Sequence, residues 1–168
     1  MIKKISAGTQ FYLMKKNSKP LCIQPDKTLI NDNLYVKYDV KVDGQIIIPR
    51  GTRVVGDWVT ESRPTIAAQL QLTQIYLQAD GQKIMADSDL YESLTDYNFK
   101  EINDADYIYK QKQHQSTSNI TRRIVNFDSK TKTLFDNQRN VIYIEIPTSE
   151  IIVTLMEDFI AMPCLDIN

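Results

Sequence analysis

Glycine is scarce in this chain, with five residues among 168. None of the five stands in the GxGxxG or GxxxxGKS/T spacing by which glycine-rich loops cradle phosphates. The sequence therefore does not predict nucleotide binding through a loop of either kind.

Cysteine and histidine are also rare, since Cys22, Cys164 and His114 are all that the sequence contains. A structural zinc site needs about four such ligands, and neither cysteine has a CxxC or CxxH context. We expect both thiols to be buried and reduced. His114 lies in a polar run with no acid nearby to orient it, so we expect it to be exposed. The sequence predicts no metal, no cofactor and no enzymatic activity.

Charge of one sign and long hydrophobic runs are missing too. The formal net charge is −1, whereas a phosphate-binding surface normally shows as a basic excess, so only a local basic patch could serve a nucleic acid. Apolar runs such as 46–48 and 151–153 are far shorter than the ~20 residues that cross a bilayer. We expect no membrane span and no signal peptide, which places the chain in a cytoplasm or virion, or in a periplasm if an export segment is missing.

Alternation with a period of two is the dominant pattern, and it predicts an all-β fold. Residues 35–42 alternate apolar and charged side chains, which predicts one half-buried strand. Asp43-Gly44 is a tight-turn signal that leads into the apolar residues 46–48, so we predict a hairpin there. Further strands are predicted at 53–59, 83–87, 141–146 and 151–156, the last two as a closing pair. One helical turn is predicted at 157–162.

A long strand is predicted over residues 66–79, and its apolar positions change parity halfway. Ile66, Ala68, Leu70 and Leu72 face one way, but Ile75 and Leu77 have the opposite parity. Such a change within one strand indicates a bulge near Thr73-Gln74. Asp80-Gly81 then predicts a second hairpin turn. Together these features favour a small antiparallel, bulged β-barrel or sandwich in one domain, 1–168.

Three segments share a strand-corner layout, at residues 5–9, 48–52 and 146–150. Proline fixes φ and glycine accepts positive φ, so each segment should end one strand and redirect the next. Between the last two, residues 88–139 form a long polar insertion, in which we expect short strands or a helical turn near 120–127 and a mobile stretch near 110–119.

The order of these phrases resembles a known family. A Gly-Thr corner is followed by DVKVDG at 39–44, IIPRGTRVVGDW at 47–58, ADGQKI at 79–84 and a closing IIVTLMEDFI at 151–160. This series is similar to the C-terminal β-barrel domain of the channel-lining (TrbI-like) subunit of type IV secretion and conjugation systems. The resemblance implies a non-enzymatic barrel that packs beside copies of itself in a ring. The family's membrane anchor and apolar antenna have no counterpart here, since the insertion 88–139 is polar.

Several residues are candidates for partner contact. Trp58 has two interpretations, a core or barrel-end aromatic and an interface anchor. The insertion combines basic and aromatic residues in the manner of a single-strand-binding face. These candidates are Tyr107, Tyr109, Lys110, Lys112, Arg122 and Arg123. The acidic run 87–92 offers oxygen ligands, but its spacing does not match a calcium loop, and a solvated loop is favoured.

Two functions follow as expectations. The first is a non-enzymatic structural or interaction subunit of a larger assembly, such as a secretion-type barrel or a virion component, which contacts copies of itself or other assembly proteins. The alternative is a small barrel that binds single-stranded nucleic acid or a small ligand through the basic insertion.

Overall fold

The structure, a computed structural model, describes residues 3–17, 19–25, 28–61, 66–92, 95–98, 126–130, 133–135 and 140–161. Within these ranges lie sixteen strands. They are β1 Lys3–Ile5, β2 Gln10–Met14, β3 Leu21–Ile23, β4 Leu29–Val36, β5 Val40–Val42, β6 Gln45–Ile48, β7 Arg53–Glu61, β8 Ala67–Tyr76, β9 Gln82–Ser88, β10 Tyr91–Glu92, β11 Thr95–Asn98, β12 Asn126–Asp128, β13 Thr133–Phe135, β14 Asn140–Ile146, β15 Ile151–Leu155 and β16 Phe159–Ala161.

Six strands close into an antiparallel barrel in the order β8-β7-β4-β2-β15-β9, and β9 pairs back to β8. β10 adds a short seventh strand at Ala67 and Ala68, on the stretch of β8 that β9 does not reach. The described residues include no helix, so none of them forms a helix long and apolar enough to cross a bilayer. The predicted all-β barrel is confirmed.

The barrel interior is filled by alternate side chains of its strands. Leu13, Leu34, Leu70 and Ile75 are completely buried, while their sequence neighbours point outward, as the two-residue period of a strand requires. Trp58 is the largest of the fully buried side chains. At Gly56, β7 lies so close to β8 that a Cβ added to the glycine would be 2.8 Å from the backbone oxygen of Gln71.

The predicted bulge in the long strand is confirmed at Thr73. In the pairing of β7 with β8, Val55 lies opposite Gln74 and Gly56 opposite Leu72, so Thr73 has no partner. The register of the pairing between β8 and β9 also shifts between Leu72 and Gln74. One extra residue therefore restores the inward direction of Ile75 after Leu72, which explains the parity change in the sequence.

The Asp43-Gly44 hairpin is also confirmed, as β5 and β6. Both turn residues have positive φ, 52° and 76°, which a two-residue hairpin turn of this type needs. The single strand predicted over 35–42 is wrong, because β4 ends at Val36 and Tyr38 is 51% exposed. The chain leaves the barrel wall after Val36 and returns to it at residues 51–52. Val36 donates to Thr52 O and accepts from Gly51 N, so these two hydrogen bonds join the two ends of the excursion.

All three predicted corners join strands as expected. Gly8 and Gly51 have φ of 89° and 86°, conformations that glycine adopts without strain. In the third corner Thr148 is buried, and its hydroxyl lies within hydrogen-bond distance of Asn17 O and Lys19 O. These contacts fix the segment between β14 and β15.

The predicted closing strands β14 and β15 form, but they do not pair with each other. β15 lies in the barrel between β2 and β9. β14 belongs to a side sheet of order β11-β14-β13-β12, in which β14 also pairs with β3. The expectation of a closing pair is therefore wrong, because the corner at Pro147 sends the chain from one sheet to the other.

The helical turn predicted at 157–162 is wrong over the described residues. β16 pairs with β1, with Phe159 opposite Ile5 and Ala161 opposite Lys3. Phe159 and Ala161 are buried, whereas Ile160 is 51% exposed. This alternation is that of a strand, but the segment is too short for its sequence to show a period of two clearly.

The polar insertion is described in part. β10 to β13 lie within it, so short strands are confirmed there, and β12 occupies part of the region where a helical turn was an alternative. The stretch predicted to be mobile lies outside the described residues.

Candidate functional site

The outer wall of the barrel carries a row of side chains that the strand register brings together. Met14 lies opposite Tyr35, Tyr35 opposite Arg53, and Arg53 opposite Tyr76. Each is flanked in its strand by a buried residue, such as Val54 beside Arg53, so all four side chains point outward. The row crosses four adjacent strands, β2, β4, β7 and β8.

Two cations lie over aromatic rings of this row. The Arg53 Cζ is 3.7 Å from the ring centroid of Tyr76, and the Lys16 Nζ is 4.9 Å from that of Tyr35. Arg53 Nη1 also donates to Asn33 Oδ1 at 2.8 Å, which fixes the guanidinium in place. The two distances from a cation to a ring centroid are those of cation–π contacts. We call the two cations and the two rings that they cover the aromatic–cationic row, which consists of Lys16, Tyr35, Arg53 and Tyr76. Met14 lies beside this row but is neither aromatic nor cationic.

A second aromatic pair adjoins this row, with one ring on the barrel wall and the other in the segment that leaves the wall after Val36. Tyr12 is two residues before Met14 on β2, and its ring meets that of Tyr38 edge to face at 5.6 Å. Lys37 Nζ lies 5.3 Å from the Tyr38 centroid and 3.8 Å from Glu150 Oε2. Aromatic and cationic groups thus continue from Tyr76 to Tyr38.

Inside the wall, a charged pair anchors the single tryptophan. Lys15 Nζ donates to Asp32 Oδ1 at 2.5 Å, and Trp58 Nε1 donates to Asp32 Oδ2 at 3.0 Å. The side chains of Lys15 and Asp32 are 20% and 10% exposed. Trp58 is 0% exposed and meets Tyr91 edge to face. Its interpretation as a core aromatic fits this burial, and contact with a partner at the surface does not.

A different part of the wall presents an apolar pair. Met85 of β9 and Met156, just after β15, are 42% and 57% exposed. Met156 N donates to Met85 O at 2.9 Å, so the two residues are cross-strand neighbours. Ile84, Ala86 and Leu155 are buried, which directs both methionines outward. We call Met85 and Met156 the methionine pair.

Two open hollows interrupt the described surface. One, of about 380 Å³, lies among β3, Leu29 and Tyr143, and the other, of about 440 Å³, lies along the β8–β9 turn. In the first, Gln24 Nε2 donates to Tyr143 Oη at 3.0 Å. Both are partly open to solvent, whereas a typical small-molecule site buries most of its ligand.

The acidic run 87–92 holds no metal-ligand cluster in the described chain. Ser88 is buried, and its Oγ accepts from Leu70 N at 2.9 Å. Burial raises the pKa of the Asp87 carboxyl. Burial, and then the charge of Asp89, raise the pKa of Tyr91. The run is thus the end of β9 and its junction with β10.

The remaining predicted contact residues, Tyr107, Tyr109, Lys110, Lys112, Arg122 and Arg123, lie outside the described residues, as does His114. The aromatic–cationic row was missed by sequence reasoning because its members are far apart in the chain. Only the strand register places them side by side.

Comparison with known proteins gives one clear relative. The chain is 57% identical over 162 residues to an uncharacterized protein, L591, of Acanthamoeba polyphaga mimivirus. The match covers 96% of this chain and 62% of the relative, so the chain spans about three fifths of the length of that protein. No family model and no solved structure matches the chain.

Proposed function

We propose that this protein is a non-enzymatic structural subunit that assembles with copies of itself through the outer wall of its barrel. The observation that carries the proposal is the methionine pair. Two large apolar side chains lie side by side on the wall, both more than two fifths exposed. Contiguous exposed apolar surface marks interaction sites more often than scattered single residues do.

The chemistry of methionine suits such a contact. Its unbranched thioether side chain adapts to the surface it meets, and methionine is frequent at surfaces that bind other proteins. Transfer of apolar area from water stabilises an interface by roughly 25 cal/mol per Å². The methionine pair would form the apolar centre of a contact, with the neighbouring polar residues at its rim.

The closed barrel determines how such a contact would form. A sheet with free edges can add strands from another copy, but closure removes the edges of the six wall strands. Contact through the barrel wall must then use outward side chains. This agrees with the side-by-side packing that the resemblance to the secretion-channel barrel implies.

The relative supports the proposal of a virion component. It is a protein of a mimivirus, and virus particles are built from many copies of structural proteins. A barrel that associates through its wall would serve as such a subunit.

A matched pair of variants tests the proposal by sedimentation. Met156→Lys places a charge in the proposed contact, and charged residues are depleted at the centre of interfaces. We expect the wild type to form oligomers as concentration rises and Met156→Lys to dissociate them to monomers.

Ile30→Lys is the control, because Ile30 is 65% exposed and lies on β4, apart from β9 and β15. It should leave the oligomer intact. Oligomers unaffected by Met156→Lys, or lost equally in both variants, would contradict the proposed contact.

A further inference from the structure

We infer that the aromatic–cationic row is a binding surface for single-stranded nucleic acid. Lys16, Tyr35, Arg53 and Tyr76 form one outward band across the barrel wall. This surface shares no residue with the basic insertion or with the methionine pair. The inference is therefore independent of the self-assembly proposed above.

The positive charge of the row is available to a ligand. Among the described residues, neither Lys16 nor Arg53 forms a salt bridge, and their neighbours are the two tyrosine rings and the Asn33 amide. Lys15, by contrast, is paired with Asp32. Two cations without a carboxylate partner attract a polyanion locally, even though the whole chain has a net charge of −1.

The arrangement of rings and cations suits unstacked bases. Proteins that bind single strands combine cations that contact the backbone with aromatic rings on which bases stack. The Arg53 guanidinium is held at stacking distance from Tyr76 and fixed by Asn33, and guanidinium planes also stack on bases. Tyr38 extends the surface and is half exposed.

The size of the row also fits. Neighbouring strands lie about 4.8 Å apart, so the four strands of the row span about 14 Å. That length accommodates a few nucleotides, because stacked nucleotides are spaced about 3.4 Å apart and unstacked ones lie further apart. A duplex would hide the base faces, so the row should prefer single strands.

Fluorescence anisotropy with the full chain and a labelled, mixed-sequence oligonucleotide of about 16 nucleotides tests the inference. We expect the wild type to bind at low salt and to prefer the single strand to the duplex. Arg53→Gln should weaken binding about tenfold and reduce the salt slope by about one. Tyr35→Leu, which keeps an apolar side chain but removes the ring, should also weaken it about tenfold.

Lys4→Gln is the matched control, because Lys4 is 58% exposed on β1 and its ion pair with Asp158 is equally exposed. It should bind like the wild type. The inference is overturned if the wild type does not bind, or if Lys4→Gln weakens binding as much as Arg53→Gln. It is also overturned if a poly-glutamate peptide binds as tightly through the same residues, since the ligand would then be an acidic protein surface.

Unfolding curves identify any variant that is not folded. If Arg53→Gln is unfolded, Arg53→Lys replaces it, because lysine keeps the charge but not the stacking plane. Arg53→Lys should lose part of the binding.

Discussion

The indole of Trp58 shows how a polar atom is accommodated inside the barrel. Its Nε1 donates to Asp32, whose other oxygen accepts from Lys15. A buried carboxylate is costly unless its hydrogen bonds and charge are satisfied. Trp58, Asp32 and Lys15 thus form one unit. The Asp32 carboxylate accepts the hydrogen bond of the buried indole, and the Lys15 ammonium neutralises the carboxylate charge.

Trp58→Phe should destabilise the fold by about 1–3 kcal/mol, because Asp32 loses a donor and the smaller ring leaves a cavity in the core. Chemical unfolding followed by circular dichroism measures the change. Val59→Ala, at a 38% exposed neighbour, should change stability by less than about 0.5 kcal/mol. Equal effects of the two substitutions would contradict the role of Trp58 as a hydrogen-bonded core residue.

Asp87→Asn should stabilise the protein slightly at neutral pH. Burial raises the pKa of Asp87 above 3.8, so the folded state holds this proton more tightly than the unfolded state does. The stability that this gives is complete below pH 3.8 and is lost as pH rises through the folded pKa. Asparagine carries no charge to desolvate. Unfolding midpoints of both proteins should therefore differ at neutral pH and converge in acid; a destabilised variant at neutral pH would contradict the assignment.

At the scale of strands, short sequence patterns predicted the features that depend on neighbouring residues alone, namely the hairpin turn and the bulge. Asp43-Gly44 predicted a hairpin because both residues adopt positive φ, and the parity change predicted the bulge at Thr73. The break after Val36 was not predictable. It depends on hydrogen bonds between Val36 and residues 51–52, which no pattern within 35–42 contains.

Gly56 and Gly81 offer a matched test of packing between strands. A Cβ at Gly56 would lie 2.8 Å from the backbone oxygen of Gln71, whereas at Gly81 the nearest atom, at 2.9 Å, belongs to the side chain of Tyr76. Backbone in the barrel wall cannot shift without disturbing the adjoining strands, whereas the far end of an outward tyrosine ring can shift at lower cost. Gly56→Ala should therefore cost about 1–3 kcal/mol, and Gly81→Ala much less, by the same unfolding assay. Equal costs would mean that the wall adjusts at Gly56 as easily as a surface side chain does.

At the scale of the whole molecule, the barrel was predictable and its surfaces were not. Period-two alternation marks which residues point inward, but it does not state which strands are neighbours. Tyr35, Arg53 and Tyr76 became one row only through the register of β4, β7 and β8. Sequence reasoning instead selected residues that cluster along the chain, such as Lys110 and Lys112, because proximity in sequence is all that it can observe. For the same reason β14 and β15 were expected to pair, although they lie in different sheets.

The native mass of the full chain, measured by sedimentation or light scattering across a wide range of concentrations, tests the proposed assembly role most directly. Self-association through the methionine pair predicts a mass that rises from the 19.4 kDa monomer to a defined multiple as concentration increases. A mass that stays at the monomer value at every concentration would contradict it.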